Sequence, residues 1–340
     1  MPLRLGDLRH APTVFSYLAG AERVLGAPVY FLVETVNRCN LRCVYCPQSR
    51  PEEHFPNGRG RMTLAQFDVV LERLVEAFRP RFLSLHRDGE PLLHADLPEF
   101  VRRATARGMR VSFSSNATLL TRARAEALVA AGLTMINTDF CADPATYESL
   151  RAGAHWERTR DGLRHILDAA ETAGSPFRLV IKDLAATADD PAENRRRIEA
   201  TRALFADHAA RITVVPVHFH NALGHSARDL SAPSNPGKAP RYGLCHQPWI
   251  SLTVDWAGRV VACCRDLRSE VVLGNLLEQP ARTIWNGPEA RRLRRALAAR
   301  NPGAIATCAT CDLPWNGSYS GRGRIDRIKS FLFTRTHGQA

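Results

Sequence analysis

The chain has 340 residues, of which 45% are hydrophobic and 24% charged, a balance typical of a globular protein with a sizeable core. No apolar run approaches the roughly 20 residues that a membrane-spanning helix needs. The N-terminal region also lacks the apolar stretch of a secretory signal, so we expect a cytoplasmic protein. Nine cysteines in that compartment indicate metal or redox chemistry rather than a disulfide framework.

The net charge of +12 raises the question of a nucleic-acid partner. Arginine clusters at residues 195–197 and 291–295 fall on predicted helices, and no basic segment is interleaved with aromatic side chains. We therefore interpret both clusters as solvated helix faces and expect neither a nucleic-acid nor a membrane partner. A nucleic acid, or an anionic electron donor of the flavodoxin or ferredoxin type, is the alternative explanation of the charge.

Strand and helix patterns alternate along the first two thirds of the chain. Runs rich in β-branched and aromatic residues predict strands over residues 29–33, 81–86, 111–115, 135–140, 177–184 and 212–219. Amphipathic segments predict helices over residues 13–25, 63–78, 97–107, 122–131, 156–172 and 191–208. Thr63 is the predicted N-cap of the second helix. Six alternating strand–helix units imply an α/β fold with a parallel sheet and right-handed crossovers.

The pattern changes after residue 225. A stretch rich in Ser, Pro, Asn and Gly predicts a linker, and a hairpin follows at residues 249–254 and 259–262. A basic helix at residues 288–299 then leads into the last two cysteines. We divide the chain into an N-terminal helical extension, a core domain, a linker, a small cysteine-containing domain and a tail, at residues 1–27, 28–225, 226–241, 242–315 and 316–340.

Three cysteines follow the first predicted strand at the spacing C-x3-C-x2-C, as Cys39, Cys43 and Cys46. They lie on the loop at the C-terminal end of that strand, where α/β folds gather their chemistry. Three thiolates suit a [4Fe–4S] cluster whose fourth iron has no protein ligand and can take a substrate. Zinc is the alternative, although structural zinc sites usually add a second ligand pair at a distance.

This segment, with Tyr45 as its aromatic residue, resembles the radical S-adenosylmethionine (SAM) signature C-x3-C-x-Φ-C. The resemblance implies a partial (β/α)6 barrel over about residues 28–225, with SAM chelated to the open iron through its amino and carboxylate groups. It also implies that the reduced cluster passes an electron to the sulfonium, giving a 5′-deoxyadenosyl radical that takes a substrate hydrogen. The protein then supplies orientation and excludes water.

Further motifs at strand ends resemble the SAM-binding loops of that family. The D-G-E-P motif is similar to its G-G-E-P motif, which implies that Glu90 accepts a hydrogen bond from the SAM amino group, although Asp88 replaces the first glycine. A surface carboxylate before a proline turn is the alternative for Glu90. The S-N-A-T segment is similar to the S-N-G/A-T loop and implies that Asn116 lies near the ribose. Tyr45 and Thr138 complete the cofactor shell that the resemblance implies.

Several side chains approach the expected mouth of the barrel. The fourth strand ends in T-D-F-C where many relatives show S-L-D-G, so Cys141 is a candidate hydrogen donor to a substrate radical, with a buried structural cysteine as the alternative. Lys182 on the fifth strand is a candidate catalytic residue. Lys182, His218 and His220 could each touch a polar substrate or the SAM carboxylate, and a satisfied structural group is the alternative for each.

A second cysteine set, C-x17-C followed by C-x2-C, comprises Cys245, Cys263, Cys308 and Cys311. Four thiolates close a [4Fe–4S] cluster completely. The set resembles the auxiliary-cluster module of SPASM and shorter twitch radical SAM enzymes, and a zinc ribbon is the alternative. A full SPASM module needs more cysteines, so the resemblance implies one auxiliary [4Fe–4S] cluster. Cys264 could replace Cys263 as a ligand, or stay free as a second candidate hydrogen donor.

The layout with one auxiliary cluster resembles enzymes that tailor aminocyclitols, aminoglycosides and sugar nucleosides in antibiotic biosynthesis. Few residues flank the predicted domains, which favours a small carbohydrate-type substrate over a peptide. The leading hypothesis is oxidation (dehydrogenation) of a carbinol, because an auxiliary cluster can accept the electron. The alternatives are epimerisation with a cysteine hydrogen donor, decarboxylation of a uronic acid nucleoside, and peptide modification. A metal-binding or nucleic-acid-binding protein without enzymatic activity is the other class.

Overall fold

The computed structural model describes residues 9–51, 55, 58–186, 190–221, 226 and 242–315. The predicted tail at residues 316–340, and the predicted linker apart from Ser226, lie outside these described residues. The strands are β1 (Tyr30–Val33), β2 (Phe82–Ser84), β3 (Arg110–Ser114), β4 (Leu133–Phe140), β5 (Arg178–Asp183), β6 (Ile212–Pro216), β7 (Ser251–Val254), β8 (Arg259–Val261) and β9 (Val272–Asn275).

Helices surround these strands in the described ranges. The α-helices are α1 (Ala11–Leu18), α2 (Leu64–Phe78), α3 (Leu97–Thr105), α4 (Arg122–Ala130), α5 (Pro144–Leu150), α6 (Trp156–Thr172), α7 (Pro191–Ala203), α8 (Gln247–Ile250), α9 (Ala281–Trp285), α10 (Pro288–Ala298) and α11 (Ala306–Ala309). Short 3-10 helices occur at Pro47–Ser49, Pro91–Leu93, Ala206–Arg211 and Pro302–Ala304. None of the helices in the part of the chain that is described is long and apolar enough to cross a membrane.

The nine strands of the described ranges belong to one sheet, in the order β6-β5-β4-β3-β2-β1-β7-β8-β9. The first six are parallel to their neighbours, which confirms the α/β class and the open, partial-barrel arrangement. One face of this sheet packs apolar side chains such as Phe31, Val111, Phe113 and Ile181 against the helices. Burying each large apolar side chain contributes about 1.5–3 kcal/mol, so this face and the helices hold the core domain together.

The C-terminal hairpin continues the sheet instead of standing apart from it. Strand β7 pairs in parallel with β1, with Tyr30 beside Ser251 and Val33 beside Val254. Strands β8 and β9 then add antiparallel, and β9 is a strand that the sequence did not predict. The second cysteine set is therefore carried on the same sheet as the first.

Local signals explain where several helices begin and end. Thr63 is the N-cap of α2 as predicted, since its Oγ1 accepts from the Gln66 amide at 3.2 Å and Gln66 Oε1 accepts from the Thr63 amide at 2.8 Å. The predicted helix over residues 13–25 was too long. It ends at Leu18 because Gly20 turns the chain with a φ of +63°. Helices α5 and α9 were not predicted, and Trp249 lies in the short helix α8 rather than in the hairpin strand.

The arginine cluster on α10 is not uniformly solvated. Arg294 is 1% exposed and stacks over the Trp285 ring with its Cζ 4.5 Å from the ring centroid. Its guanidinium donates to the carbonyl oxygens of Pro248, Glu22 and Trp285 at 2.9, 3.1 and 2.9 Å. The interpretation as a solvated face was therefore wrong for Arg294, which ties α10 to the N-terminal segment. It is right for residues 195–197, which are exposed.

Candidate functional site

The first cysteine set lies on a loop that is fixed by backbone hydrogen bonds. The Val44 amide donates to the Leu150 carbonyl at 3.0 Å, and the Cys46 amide donates to the Cys43 carbonyl at 2.9 Å. Burial raises the pKa of the Cys39 thiol to about 12 and also raises the pKa values of Cys43 and Cys46. The three thiols lie close enough for each to affect another's pKa. The loop thus gathers one buried and two half-buried cysteines beyond the end of β1.

Tyr45 connects this loop to the end of β4. Its hydroxyl donates to Asp139 Oδ2 at 3.1 Å and accepts from Arg151 Nη1 at 3.0 Å, while Arg151 also donates to Asp139 at 3.1 Å. The Tyr45 ring packs edge-on against Phe219, with centroids 4.9 Å apart. Tyr45 therefore positions the cysteine loop against β4 and the segment after β6.

Glu90 is 2% exposed and lies behind the cysteine loop. Its Oε1 accepts from the Leu92 amide at 3.0 Å and the Ser115 hydroxyl at 2.8 Å, and its Oε2 accepts from the Asn116 amide at 2.6 Å. Burial raises the pKa of Glu90, and these three donors oppose that effect. A surface carboxylate is therefore excluded for Glu90. One lone pair on Oε2 is left for a further donor.

Gly89 allows Glu90 to approach the first cysteines. A Cβ atom at position 89 would lie 2.1 Å from the carbonyl oxygen of Val36, and the Glu90 amide donates to the Arg38 carbonyl at 2.8 Å. Only glycine permits this contact between the D-G-E-P loop and the segment leading into Cys39.

Asn116 links the S-N-A-T loop to Cys39. Its Nδ2 donates to Asn40 Oδ1 at 2.9 Å and to Cys39 Sγ at 3.6 Å, and its Oδ1 accepts from the Thr118 amide and hydroxyl at 3.0 and 2.7 Å. The amide that the resemblance placed near a ribose is thus engaged within the protein. Asn116 holds the loops around the first cysteines together.

The face of the sheet opposite the helices, here called the inner face, carries a row of polar side chains among apolar ones such as Leu32 and Val180. Direct pairing places residues of neighbouring strands on the same face, as with Ser84 beside Ser112 and Asp139 beside Lys182. The inner face carries half-buried or exposed Ser84, His86, Ser112, Ser114, Asn137, Asp139, Lys182 and Thr213. Parallel sheets are ordinarily apolar on both faces, so this row indicates a chamber for a polar ligand.

His86, which sequence reasoning missed, lies within this row. Its Nδ1 is 2.9 Å from Ser84 Oγ. Burial, and to a lesser extent the nearby Lys182, lower the pKa of His86 to about 4 against the opposite effect of Asp139. A neutral imidazole, an ammonium and a carboxylate therefore share one end of the inner face. The alternation of polar and apolar residues in the segments S-F-S and N-T-D is the sequence signal that could have identified this polar row.

Two predicted site residues are buried in the protein interior. Thr138 is 2% exposed and points to the helix side, because it alternates with Asn137 and Asp139. Cys141 is completely buried, and its thiol donates to the Asp143 carbonyl at 3.4 Å. Burial raises the pKa of that thiol to about 12. These positions favour structural roles for both residues.

The second cysteine set lines one cavity next to α10. Cys245, Cys263, Cys308 and Cys311 all contribute to its wall, whereas Cys264 does not. Burial raises the pKa of the Cys308 thiol to about 12 and raises the pKa values of the other three. The arrangement favours Cys263 over Cys264 as the ligand.

The donor sets fit the groups that the sequence predicts. In the described ranges, no three Cys, His, Asp or Glu side chains converge on a point that one metal ion could occupy. Single zinc sites draw sulfurs to about 2.3 Å from one ion, whereas a four-iron cluster spreads its thiolates over four irons. Buried thiolates also require compensating positive charge, which such irons supply. Both cysteine sets are therefore suited to iron–sulfur clusters.

The segment after β6 joins the two sites. Phe219 packs on Tyr45, and the Asn221 side chain donates to the Thr310 carbonyl at 2.7 Å. His220 lies between them and is half-buried, and its burial, together with Arg265 and Lys182, lowers its pKa to about 4. His218 is exposed. The second cysteine cavity therefore lies beside the inner face.

Two family models match the chain over these sites. Residues 33–179 match the radical SAM superfamily, and residues 245–312 match an iron–sulfur cluster-binding domain known as SPASM. The chain therefore contains a radical SAM domain and a SPASM domain. The first match contains Cys39, Cys43 and Cys46, and the second begins at Cys245 and contains the rest of the second set. A radical SAM domain implies a [4Fe–4S] cluster with SAM, and a SPASM domain implies auxiliary iron–sulfur chemistry.

Curated relatives match part of the chain. A PqqA peptide cyclase from Rhodopseudomonas palustris is 36% identical over 122 residues, which are 36% of this chain and 31% of that protein. A GTP 3′,8-cyclase from Lactiplantibacillus plantarum is 36% identical over 141 residues, 39% of this chain and 40% of that protein. This radical SAM chain thus spans less than half the length of the curated relatives that it matches.

A solved structure resembles nearly the whole chain. BtrN in complex with AdoMet and 2-DOIA superimposes with a TM-score of 0.57 at 21% identity, covering 84% of this chain and 93% of BtrN. At that identity the likeness shows a shared fold alone.

Proposed function

We propose that this protein is a radical SAM enzyme that oxidises a carbinol of a small, polar substrate of the carbohydrate or aminocyclitol type, in natural-product (antibiotic) biosynthesis. The bound cluster and SAM would supply a 5′-deoxyadenosyl radical that takes one hydrogen atom from the substrate. An electron donor of the flavodoxin or ferredoxin type would provide the initial reduction.

The polar inner face is the observation that carries this proposal. It offers hydroxyl, amide, imidazole, carboxylate and ammonium groups over five neighbouring strands. A molecule with many hydroxyl and amino groups can satisfy such a surface, whereas an apolar molecule would leave these groups without partners. The chain shares its fold with BtrN, an aminocyclitol-modifying protein, and this similarity supports the same substrate class.

Each candidate site residue would have a separate role in binding the cofactors and the substrate. Cys39, Cys43 and Cys46 would hold the first cluster, and the remaining lone pair of Glu90 would accept from the SAM ammonium. Asn116 would fix the loops around Cys39 rather than bind the ribose directly. Tyr45 would anchor the cysteine loop through Asp139 and Arg151. Lys182 would orient the substrate from the inner face.

Oxidation is favoured over epimerisation by the position of the thiols. A substrate radical that becomes a ketone loses one proton, which water can take, and one electron, for which the second cysteine cavity would hold the acceptor. Epimerisation instead needs a thiol facing the substrate. Cys141 is completely buried and its thiol donates to the Asp143 carbonyl, which favours Cys264 as the candidate donor in the described part of the chain.

Peptide modification is the second candidate function. It is favoured by the 36% identity to a PqqA peptide cyclase, although that similarity covers about a third of each chain.

The test is an anaerobic assay of reconstituted enzyme with panels of aminocyclitols, amino sugars and nucleosides in deuterated water. We expect 5′-deoxyadenosine and a product lighter by two hydrogens, without deuterium at the reacting carbon, for wild type, Cys141→Ala and Cys264→Ala alike. Deuterium at an inverted carbon that is lost only in Cys264→Ala would replace oxidation by epimerisation. Turnover of peptides but of no small molecule would favour the second candidate.

A further inference from the structure

Arg265 is the charged residue in the wall of the second cysteine cavity. The wall is formed by Arg265, the four cysteines and eight further residues, among them Gln247, Leu293 and Thr307. Apart from the four cysteines, every other member of this set is neutral. Whatever the cavity holds is therefore exposed to one fixed positive charge from its own wall.

The guanidinium of Arg265 is directed at a cysteine sulfur. Its Nη1 lies 3.9 Å from Cys311 Sγ, within the range of an N–H···S hydrogen bond, and also contacts Asp312 Oδ1. The Arg265 side chain is 16% exposed, so solvent screens its charge weakly. Asp312 also accepts from the Asn221 amide at 3.4 Å, which fixes the ion pair to the segment after β6.

The effect of such a group on an iron–sulfur cluster has a defined sign. Reduction adds one negative charge to the cluster and its sulfurs. A nearby cation and a hydrogen bond to sulfur stabilise the reduced state more than the oxidised state, and so raise the reduction potential. The carboxylate of Asp312, which the same Nη1 contacts, acts in the opposite direction.

We propose that Arg265 is a positioning residue that raises the reduction potential of the auxiliary cluster held by the second cysteine set. This inference rests on the proposed function, because oxidation of a carbinol requires an acceptor for one electron from the substrate radical. His220 and the pairing of Asn221 with Thr310 place the cavity beside the inner face, where such an electron would originate.

The experiment is an anaerobic redox titration followed by electron paramagnetic resonance. It uses the full chain with Cys39, Cys43 and Cys46 all replaced by Ala, so that the remaining signal comes from the auxiliary site. In this background Arg265→Met should lower the one-electron equilibrium constant for reduction at least tenfold, a fall of about 59 mV in potential. Asp312→Asn should shift the potential in the opposite direction.

Arg268→Met is the matched control, because Arg268 lies in the same loop and pairs with Glu270 at 3.2 Å. It removes the same charge from the loop and should leave the potential unchanged. A potential that is equal in the background chain and in Arg265→Met would overturn the inference.

Two further outcomes are distinguishable. If Arg265→Met does not bind the cluster, the reduction potentials of Arg265→Lys and Arg265→Gln are compared instead. A lower potential in Arg265→Gln than in Arg265→Lys supports the inference, and equal potentials overturn it. If the background chain itself shows no iron–sulfur signal, the auxiliary cluster of the proposed function is overturned, whatever Arg265 does.

Discussion

Glu90 shows how one buried side chain can serve both structure and binding. Three donors from the chain already occupy three of its four acceptor positions, and they come from two different loops. A ligand ammonium would thus meet a carboxylate whose orientation is fixed before binding, which lowers the entropic cost of the contact.

We expect Glu90→Gln to retain both clusters but to bind SAM more weakly. A charged hydrogen bond to the ammonium contributes about 1.5–3 kcal/mol, so the dissociation constant should rise roughly ten- to hundredfold. The measurement is equilibrium binding of SAM to the reconstituted protein. Glu99→Gln, which alters a surface carboxylate paired with Arg103, is the control and should bind SAM normally. Unchanged SAM affinity in Glu90→Gln would remove Glu90 from the site.

Arg87, in the loop after β2, connects three parts of the chain. This side chain is 2% exposed and pairs with both oxygens of Glu34 at 3.1 and 3.2 Å. It also donates to the carbonyl oxygens of Asp266 and Leu267 at 2.7 and 3.3 Å. Arg87 therefore connects the end of β1 and the D-G-E-P loop to the loop that follows Cys263 and Cys264.

Arg87→Met should destabilise the protein strongly, because it leaves the Glu34 carboxylate buried without its partner. Breaking a buried pair costs about 3–5 kcal/mol, whereas replacing both members by apolar residues costs much less. Thermal unfolding of the anaerobic holoenzyme should therefore show a larger loss for Arg87→Met than for Arg87→Met with Glu34→Leu. Arg102→Met, which removes an exposed ion pair, should change stability by about 0–1 kcal/mol. A double variant no more stable than Arg87→Met would contradict this account.

The whole molecule should hold two clusters on one sheet. Anaerobic reconstitution is expected to give about eight irons per chain, from two four-iron clusters. Replacing Cys39, Cys43 and Cys46 together should leave about four irons and abolish SAM cleavage. Iron and zinc are measured by elemental analysis of the same sample. A wild-type protein with about four irons and one zinc ion would mean that the second cysteine set is a zinc site.

Sequence patterns predicted the alternation of strands and helices, because each element carries its own periodicity. The direction of side chains was predicted less well than the elements themselves. Thr138 was assigned to the cofactor shell, although its position next to Asp139 places it on the face of the sheet opposite to Asp139. The contacts of Arg87 could not be predicted, since its partners lie 53 and about 180 residues away. The pairing of β7 with β1 could not be predicted either, because it depends on tertiary structure rather than on local sequence pattern.

That pairing has a consequence for how the protein is made. Strand β1 lies between β2 and β7, and its β7 side is completed only by residues 251–254. At a synthesis rate of about 5–20 residues per second, a ribosome needs roughly 10–45 s to bridge this gap. During that time the nascent β1 presents an open, largely apolar sheet edge, and such edges template aggregation. A gene fragment that stops after β6 should therefore yield insoluble protein even though its six parallel strands are all present.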